Sequence, residues 1–304
     1  MKCSGKSLLL PLNVSTLLVF AVTVILTFFA ELGGSDIFLS TTAEVFSRYE
    51  NVFRKARWSI YVFVFIYALQ PLWLIFSLTL FCRKGPDGPL YLHPVLFTST
   101  FYWVHILGDL FYISWLFLID REALELAFVF LLGSVLCYYA CLALSYRTRF
   151  EHKAELQTKE RNIDNVLFIL FVENGIAAFA TWILSNALFT LAMVMTARSS
   201  TPLDPVTAGC VVLVIFIVLL TVIDITDIFV FRKFSEYTFS TYVTKLLIII
   251  SVTAANIGRT NLNTILILIP LGMEISFFLV KIIIVAMDKM ERSLRMHVNE
   301  EGCH

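Results

Sequence analysis

Apolar residues fall along this chain in long unbroken blocks, not in the short alternation of strands or the narrow stripe of a soluble amphipathic helix. Eight blocks approach or exceed the roughly 20 residues a helix needs to cross a hydrocarbon core. They are Leu8–Phe29, Trp58–Phe81, Val95–Ile119, Leu124–Tyr146, Val166–Met195, Thr207–Phe231, Phe239–Ile257 and Leu262–Met287. The breaks are polar or turn-forming. Arg83-Lys84-Gly85-Pro86-Asp87-Gly88-Pro89 parts the second block from the third, and Asp120-Arg121-Glu122 makes a tight turn after it. Arg147 to Asp164 is the longest charged connector, and Ser199 to Pro205 is a Pro-containing loop. The thinnest break, Gly258-Arg259-Thr260-Asn261, leaves seven spans as the competing count. The pattern predicts an all-α, polytopic integral membrane helical bundle.

Composition narrows the class further. Of 304 residues, 59% are hydrophobic and 15% charged, and mean hydropathy is +0.83. Soluble domains carry about 25% charged residues, so an ordinary soluble enzyme and a disordered protein are both excluded. Lys+Arg 23 equals Asp+Glu 23, which leaves no basic excess for nucleic acid. Within the loops the basic residues are uneven. About 14 Lys and Arg fall on the side of both termini and about 7 on the other, so both termini are expected in the cytoplasm. The loop from Glu31 to Arg57 dissents, with four basic and four acidic residues, and is expected to form a small ordered cap. A plasma membrane or endomembrane is expected, with a mitochondrial membrane as the alternative.

The first block is about twice the length of a signal-peptide core, and we read it as a retained membrane helix. The sequon at Asn13 lies inside it and is expected to be silent. Six Cys show no zinc spacing; Cys137 and Cys141 read as small buried apolar groups, and Cys3, Cys82 and Cys303 sit near helix ends where acylation is feasible.

Charges at bilayer depth cost at least about 2.5–3.5 kcal/mol each, so they must face protein or water. Asp224 and Lys245 lie at similar distances from the turn joining the sixth and seventh blocks, which predicts a buried ion pair. Asp227 and Lys281 lie near the cytoplasmic surface. His105, Asp109, Glu173 and Glu274 lie deeper and form a candidate intramembrane polar cluster, with Phe101, His105, Asp109 and Tyr112 on one helical face. Either these acids hold helices together by hydrogen bonds, or they line a hydrated cavity for a proton, a cation or an amphipathic ligand.

Aromatics make up 14% of the chain. Trp58, Trp73, Trp103 and Trp115 crowd the second and third blocks, and Trp182 lies among the small residues Gly175, Ala177, Ala178 and Ala180. Packing and a ligand space are both open readings there. No Walker A, G-x-S-x-G, H-E-x-x-H or dinucleotide fingerprint occurs, and His93, His105, His152, His297 and His304 form no metal-spaced pair within a span. We therefore expect no enzyme, metal or resident cofactor.

Several stretches resemble the translocator protein / tryptophan-rich sensory protein (TspO/MBR-related) family in a longer form. Ser40 to Phe53, Trp58 to Tyr67 and Gln70-Pro71-Leu72-Trp73 are similar to its first loop and Trp/Tyr-rich second helix. Tyr112 to Arg121 resembles the third helix, Glu173 to Trp182 the fifth, and Arg232 to Asn256 a segment of the long relatives. The chain differs in carrying Arg54-Lys55-Ala56-Arg57 where the family often has prolines, Phe63 at a second Trp position and Tyr112 at an Asn position. The resemblance implies a five-helix part over 1–196, three additional helices and a short cytoplasmic tail over 197–304, and one transmembrane domain in all. It also implies a pocket lined by Trp58, Tyr67, Trp115, Asn174 and Trp182 for a tetrapyrrole, a sterol or another lipophilic molecule.

Three functions compete. The first is binding of a lipophilic or amphipathic ligand, as sensor or carrier. The alternative is a proton- or cation-coupled transporter or channel using the intramembrane acids. A seven-helix receptor needs an odd span count and is disfavoured by the short Lys-bearing N-tail. Lipid, a lipophilic small molecule and a second copy in a homodimer are the expected partners.

Overall fold

The computed structural model describes residues 8–33, 36–49, 55–85, 88–158, 161–197, 202–256 and 261–301, with only the backbone for 261–267 and 295–301. Cys3, Cys303 and the Gly258–Thr260 break lie outside these residues.

Helix α1 is Leu9–Leu32, α2 Thr42–Arg48 and α3 Ser59–Cys82; a two-residue hairpin, β1 (Lys84–Gly85) and β2 (Gly88–Pro89), follows. Then come α4 (Ser99–Asp120), α5 (Leu124–Glu151), α6 (Lys153–Leu156), α7 (Asn162–Leu167), α8 (Asn174–Ala197), α9 (Pro205–Ile225), α10 (Ser240–Asn256) and α11 (Asn261–Glu301). The chain is an all-α polytopic membrane bundle. Among the described residues, seven helices are long and apolar enough to cross a membrane: Leu9–Leu32, Ser59–Cys82, Ser99–Asp120, Leu124–Glu151, Asn162–Ala197, Pro205–Val230 and Leu268–Leu294. The eighth apolar helix, α10, has only 17 residues, short of the roughly 20 a span needs. Two connectors are more helical than the pattern predicts. Helix α5 continues to Glu151, and α11 runs on to Glu301 past its apolar part.

Helix α8 is the axis of the bundle. Every residue from Gly175 to Thr190 is buried, as expected of a helix that is apolar all round. It packs against α3, α5, α9 and α10, while α4 packs between α1 and α5. Small residues set the closest approach. A Cβ added at Gly108 of α4 would come 3.1 Å from Cys137 Cβ, and one at Gly133 of α5 would come 3.0 Å from the Phe111 ring. Lipid tails are as apolar as Leu, so close contact and interhelical hydrogen bonds hold such helices together. Asn13 shows one such bond: it is fully buried and donates to Ser77 Oγ (2.5 Å) and Tyr102 Oη (2.9 Å).

The first loop contains ordered structure. Thr41 and Glu44 form a capping box at the start of α2. Asp120 Oδ1 accepts from the backbone N–H of Leu39 (2.8 Å) and Ser40 (3.0 Å). Glu122, in left-handed backbone at φ 54°, accepts from Tyr49 Oη (2.7 Å) and pairs with Arg48. The Tyr49 hydrogen bond, with Arg48 beside it, holds the Glu122 carboxyl below the usual carboxylate range. Residues 39–49 therefore sit as a cap over the α4–α5 turn.

Candidate functional site

Two of the acids flagged in the sequence sit beside π turns, in which the backbone bonds reach i to i+5. One π turn, Phe168–Glu173, joins α7 to α8; the other, Thr226–Val230, extends α9. Such turns occur mostly as local insertions at functional positions. The first ends on Glu173, and the second contains Asp227.

The densest buried charge lies where α9, α10 and α11 meet. Asp224, Lys245 and Glu274 are 1%, 0% and 1% exposed. Lys245 Nζ pairs with Asp224 Oδ1 and lies 2.9 Å from Glu274 Oε1. Its charge also stands 4.4 Å from the Tyr242 ring centroid. The Asp224 and Glu274 side chains also hydrogen-bond each other. Two carboxyl groups thus face one ammonium and each other, so the trio is neutral when the two acids hold one proton between them. An uncompensated charge in a dry site costs several kcal/mol, so the site calls for one proton or one monovalent cation.

A second level lies beside the first. Asp227 Oδ2 accepts from Tyr242 Oη (2.8 Å) and Lys281 Nζ (2.8 Å), and Lys281 also donates to Ser235 Oγ (3.0 Å). A third level is more exposed, with Arg232 paired to Asp288 and Arg292 to Glu236. Numbers rise together along α9 and α11, from Asp224 with Glu274 through Asp227 with Lys281 to Arg232 with Asp288, so these helices run parallel. Lys245 faces Asp224 and the earlier Tyr242 faces Asp227, so α10 runs antiparallel to both. Glu274, Lys281 and Asp288 recur every seven residues, which keeps them on one stripe of α11. The result is a ladder of ionisable groups from a solvent-facing end to a fully buried site.

The other acids of the expected cluster lie elsewhere: His105, Asp109, Glu173 and Glu274 occupy three separate places. Asp109 Oδ1 accepts from Tyr138 Oη (2.5 Å), and Oδ2 lies 3.2 Å from His105 Nδ1 outside hydrogen-bonding geometry. The His105 ring packs against Trp73 (4.9 Å) and Tyr138 (5.3 Å). Glu173 accepts from Arg149 Nε (2.5 Å), and Arg149 also donates to the Phe234 carbonyl. The sequence pattern placed Arg149 in a solvated connector; α5 continues through it and buries it at 7% exposure.

Of the positions named by resemblance, Tyr67, Trp115, Asn174 and Trp182 are each engaged by other residues. Tyr67 has ring contacts with Phe20, Phe63, Tyr112 and Phe179. Trp115 Nε1 donates to Thr190 Oγ1 (3.3 Å), and its ring meets Tyr112 at 5.1 Å. Trp58 is half-buried just before α3. Trp182 is 5% exposed, with no partner for Nε1. Lys55 stands 3.9 Å from its ring centroid and donates to Ser185 Oγ (2.8 Å) and Asn186 Oδ1 (2.6 Å). Burial lowers the Lys55 ammonium to about 7, against the opposing pull of Glu31. The adjacent Ala56 N–H donates to Ser251 of α10, so the entry to α3 is pinned onto α8 and α10. Nothing in the apolar pattern signals this contact, because Lys55 lies in a loop.

Asn174 acts as a helix cap for another element. Its Oδ1 accepts from the N–H of Phe239 and Ser240 (both 3.0 Å), and Nδ2 donates to the carbonyls of Ile169 (2.9 Å) and Tyr237 (3.0 Å). The π turn and the start of α10 thus share one side chain. Asn174→Ala is expected to destabilise the protein by about 1–2 kcal/mol, the value of a lost N-cap with its bonds. Thermal unfolding in detergent gives the cost, and hydrogen exchange at residues 239–241 should accelerate. Unchanged exchange there would refute the capping role.

Among the described residues, no group of three His, Cys, Asp or Glu side chains is arranged to hold a metal ion. The chain matches no family model, no curated protein and no solved structure.

Proposed function

We propose that the protein is a multi-pass membrane transporter or channel that moves a proton or monovalent cation past Asp224, Lys245 and Glu274. The observation that carries this reading is the charge count: two carboxylates and one ammonium, all at most 1% exposed. A purely structural ion pair needs only equal numbers. The second carboxyl group makes a site for one proton or cation at membrane depth, where ionisable side chains mark ion paths. Asp227, Tyr242 and Lys281 lie between that site and the exposed Arg232–Asp288 pair, and they supply hydrogen-bonding steps for entry or exit. Lys245 reaches both acids, so a small shift of its side chain trades one partner for the other as the positive charge arrives or leaves. By the Lys and Arg distribution, the exposed end of the ladder faces the cytoplasm.

The ligand-carrier reading draws less support, because Tyr67, Trp115 and Asn174 spend their faces and polar atoms on neighbouring side chains and backbone. In proteoliposomes carrying a pH-sensitive dye or loaded with Na+ or K+, the wild type should show ion-dependent flux. Glu274→Gln restores equal charge and should cut that flux about tenfold or more, a barrier change of at least about 1.4 kcal/mol. Flux equal to wild type in Glu274→Gln, or no flux of any of these ions in the wild type, would overturn the proposal.

A further inference from the structure

A second cluster of charge lies away from the α9–α11 ladder, where the end of α3 meets the start of α7. Asp164 is fully buried. Its Oδ1 accepts from Arg83 Nη1 (2.5 Å), and its Oδ2 lies 2.9 Å from Arg161 Nε. Arg161 is 7% exposed and donates through Nη1 to the His93 carbonyl (2.6 Å). Its Nη2 is buried and finds no hydrogen-bond partner among the described residues. Arg83 is exposed, so the cluster opens to the surface through it. Two guanidiniums thus share one carboxylate. A surplus carboxylate can take up a proton and become neutral, but an arginine keeps its charge at physiological pH. Among the described residues one positive charge is therefore left over, and an anion is what balances it.

The surroundings select the anion. Arg83 directly follows the apolar helix α3, and α7 opens the span Asn162–Ala197, so the cluster stands at the border of the hydrocarbon. On that span Ile163, Val166 and Leu170 are each more than half exposed, and their spacings of three and four keep them on one face. An apolar strip therefore leads from the cluster into the membrane. By the Lys and Arg distribution this end faces the cytoplasm, where the leaflet is rich in anionic lipid.

We propose that Arg83 and Arg161 form a site for the phosphate of an anionic phospholipid, with an acyl chain lying along Ile163, Val166 and Leu170. Arg83 offers the accessible guanidinium, and Arg161 Nη2 offers an N–H donor with no partner among the described residues. The planar guanidinium fork matches phosphate oxygens. None of these residues belongs to the ladder, so the lipid site stands or falls apart from the ion path.

The full-length protein in detergent micelles is titrated with dioleoyl phosphatidylglycerol or dioleoyl phosphatidylcholine, and bound lipid is counted by native mass spectrometry. The wild type should hold one phosphatidylglycerol with a preference of at least about tenfold, the worth of one hydrogen bond to a charged group. Arg83→Gln leaves one guanidinium for one carboxylate and should remove that preference. Lys84→Gln takes an exposed charge from the next residue and should preserve it. Val166→Ser combined with Leu170→Ser touches no charge and should still loosen phosphatidylglycerol, which keeps the site testable where Arg83→Gln folds poorly. Inorganic phosphate added without lipid should leave the unfolding midpoint of the wild type unchanged. Equal binding of the two lipids, equal losses in Arg83→Gln and Lys84→Gln, or full phosphatidylglycerol binding in the double serine variant would overturn the proposal. Stabilisation by inorganic phosphate as large as that by phosphatidylglycerol would also overturn it, since the site would then be one for a soluble anion.

Discussion

Lys245→Met should be the most damaging single substitution in the C-terminal helices, at about 3–5 kcal/mol. The substitution keeps the volume of the side chain but leaves Asp224 and Glu274 facing each other without an ammonium. Removing one member of a buried ion pair leaves an uncompensated charge on the acids that remain. Chemical unfolding in mixed micelles measures the loss. Two controls tie it to electrostatics. First, the loss should narrow as the medium is acidified, because protons then replace the missing positive charge. Second, Asp224→Asn and Glu274→Gln added to Lys245→Met should restore most of the stability, since a neutral trio needs no counter-charge. If the triple variant is as unstable as Lys245→Met alone, the effect belongs to packing, and the site loses its standing as a charge-balanced centre.

The same trio shows what the sequence could and could not disclose. Asp224 and Lys245 flank one short connector, so counting residues from it places them at one depth, and the structure pairs them. By depth alone Glu274 groups with His105, Asp109 and Glu173. Depth along a helix is local information, whereas the identity of the neighbouring helix is a tertiary fact that no period encodes. Glu173 was separated from Arg149 for a related reason. A charged stretch ends an apolar block, yet α5 continues through Arg147–Glu151 because helices do not stop where hydropathy does. The π turns are likewise invisible in composition, although they bring Glu173 to Arg149 and Asp227 to Lys281. The membrane bundle itself was legible throughout, because long apolar blocks leave few alternatives. Span length was legible less well: α10 begins one residue inside the seventh block, at Ser240, where Asn174 caps it from outside.

Trp73→Ala tests whether the aromatic region among α3, α4 and α8 is packed or hollow. Trp73 is fully buried, with Phe101 at 5.5 Å, Phe97 at 6.0 Å and His105 at 4.9 Å, and it donates to Gln70 Oε1 at 3.2 Å. In lipid the transfer part of a large-to-small cost shrinks, because the tails are as apolar as the core. The void remains, and its lining loses dispersion contacts outright. The expected loss is therefore about 3 kcal/mol, the low end for Trp→Ala. Trp103 lies on the same helix as Phe101 and His105 but is 56% exposed on the outer face of the bundle. Trp103→Ala leaves no void, and its effect should stay within about 0.5 kcal/mol. A ligand-sized hollow would reverse this expectation, since trimming a ring from the wall of an existing space removes few contacts. Equal unfolding midpoints for the two variants would therefore contradict a filled core and revive the aromatic pocket as a binding site.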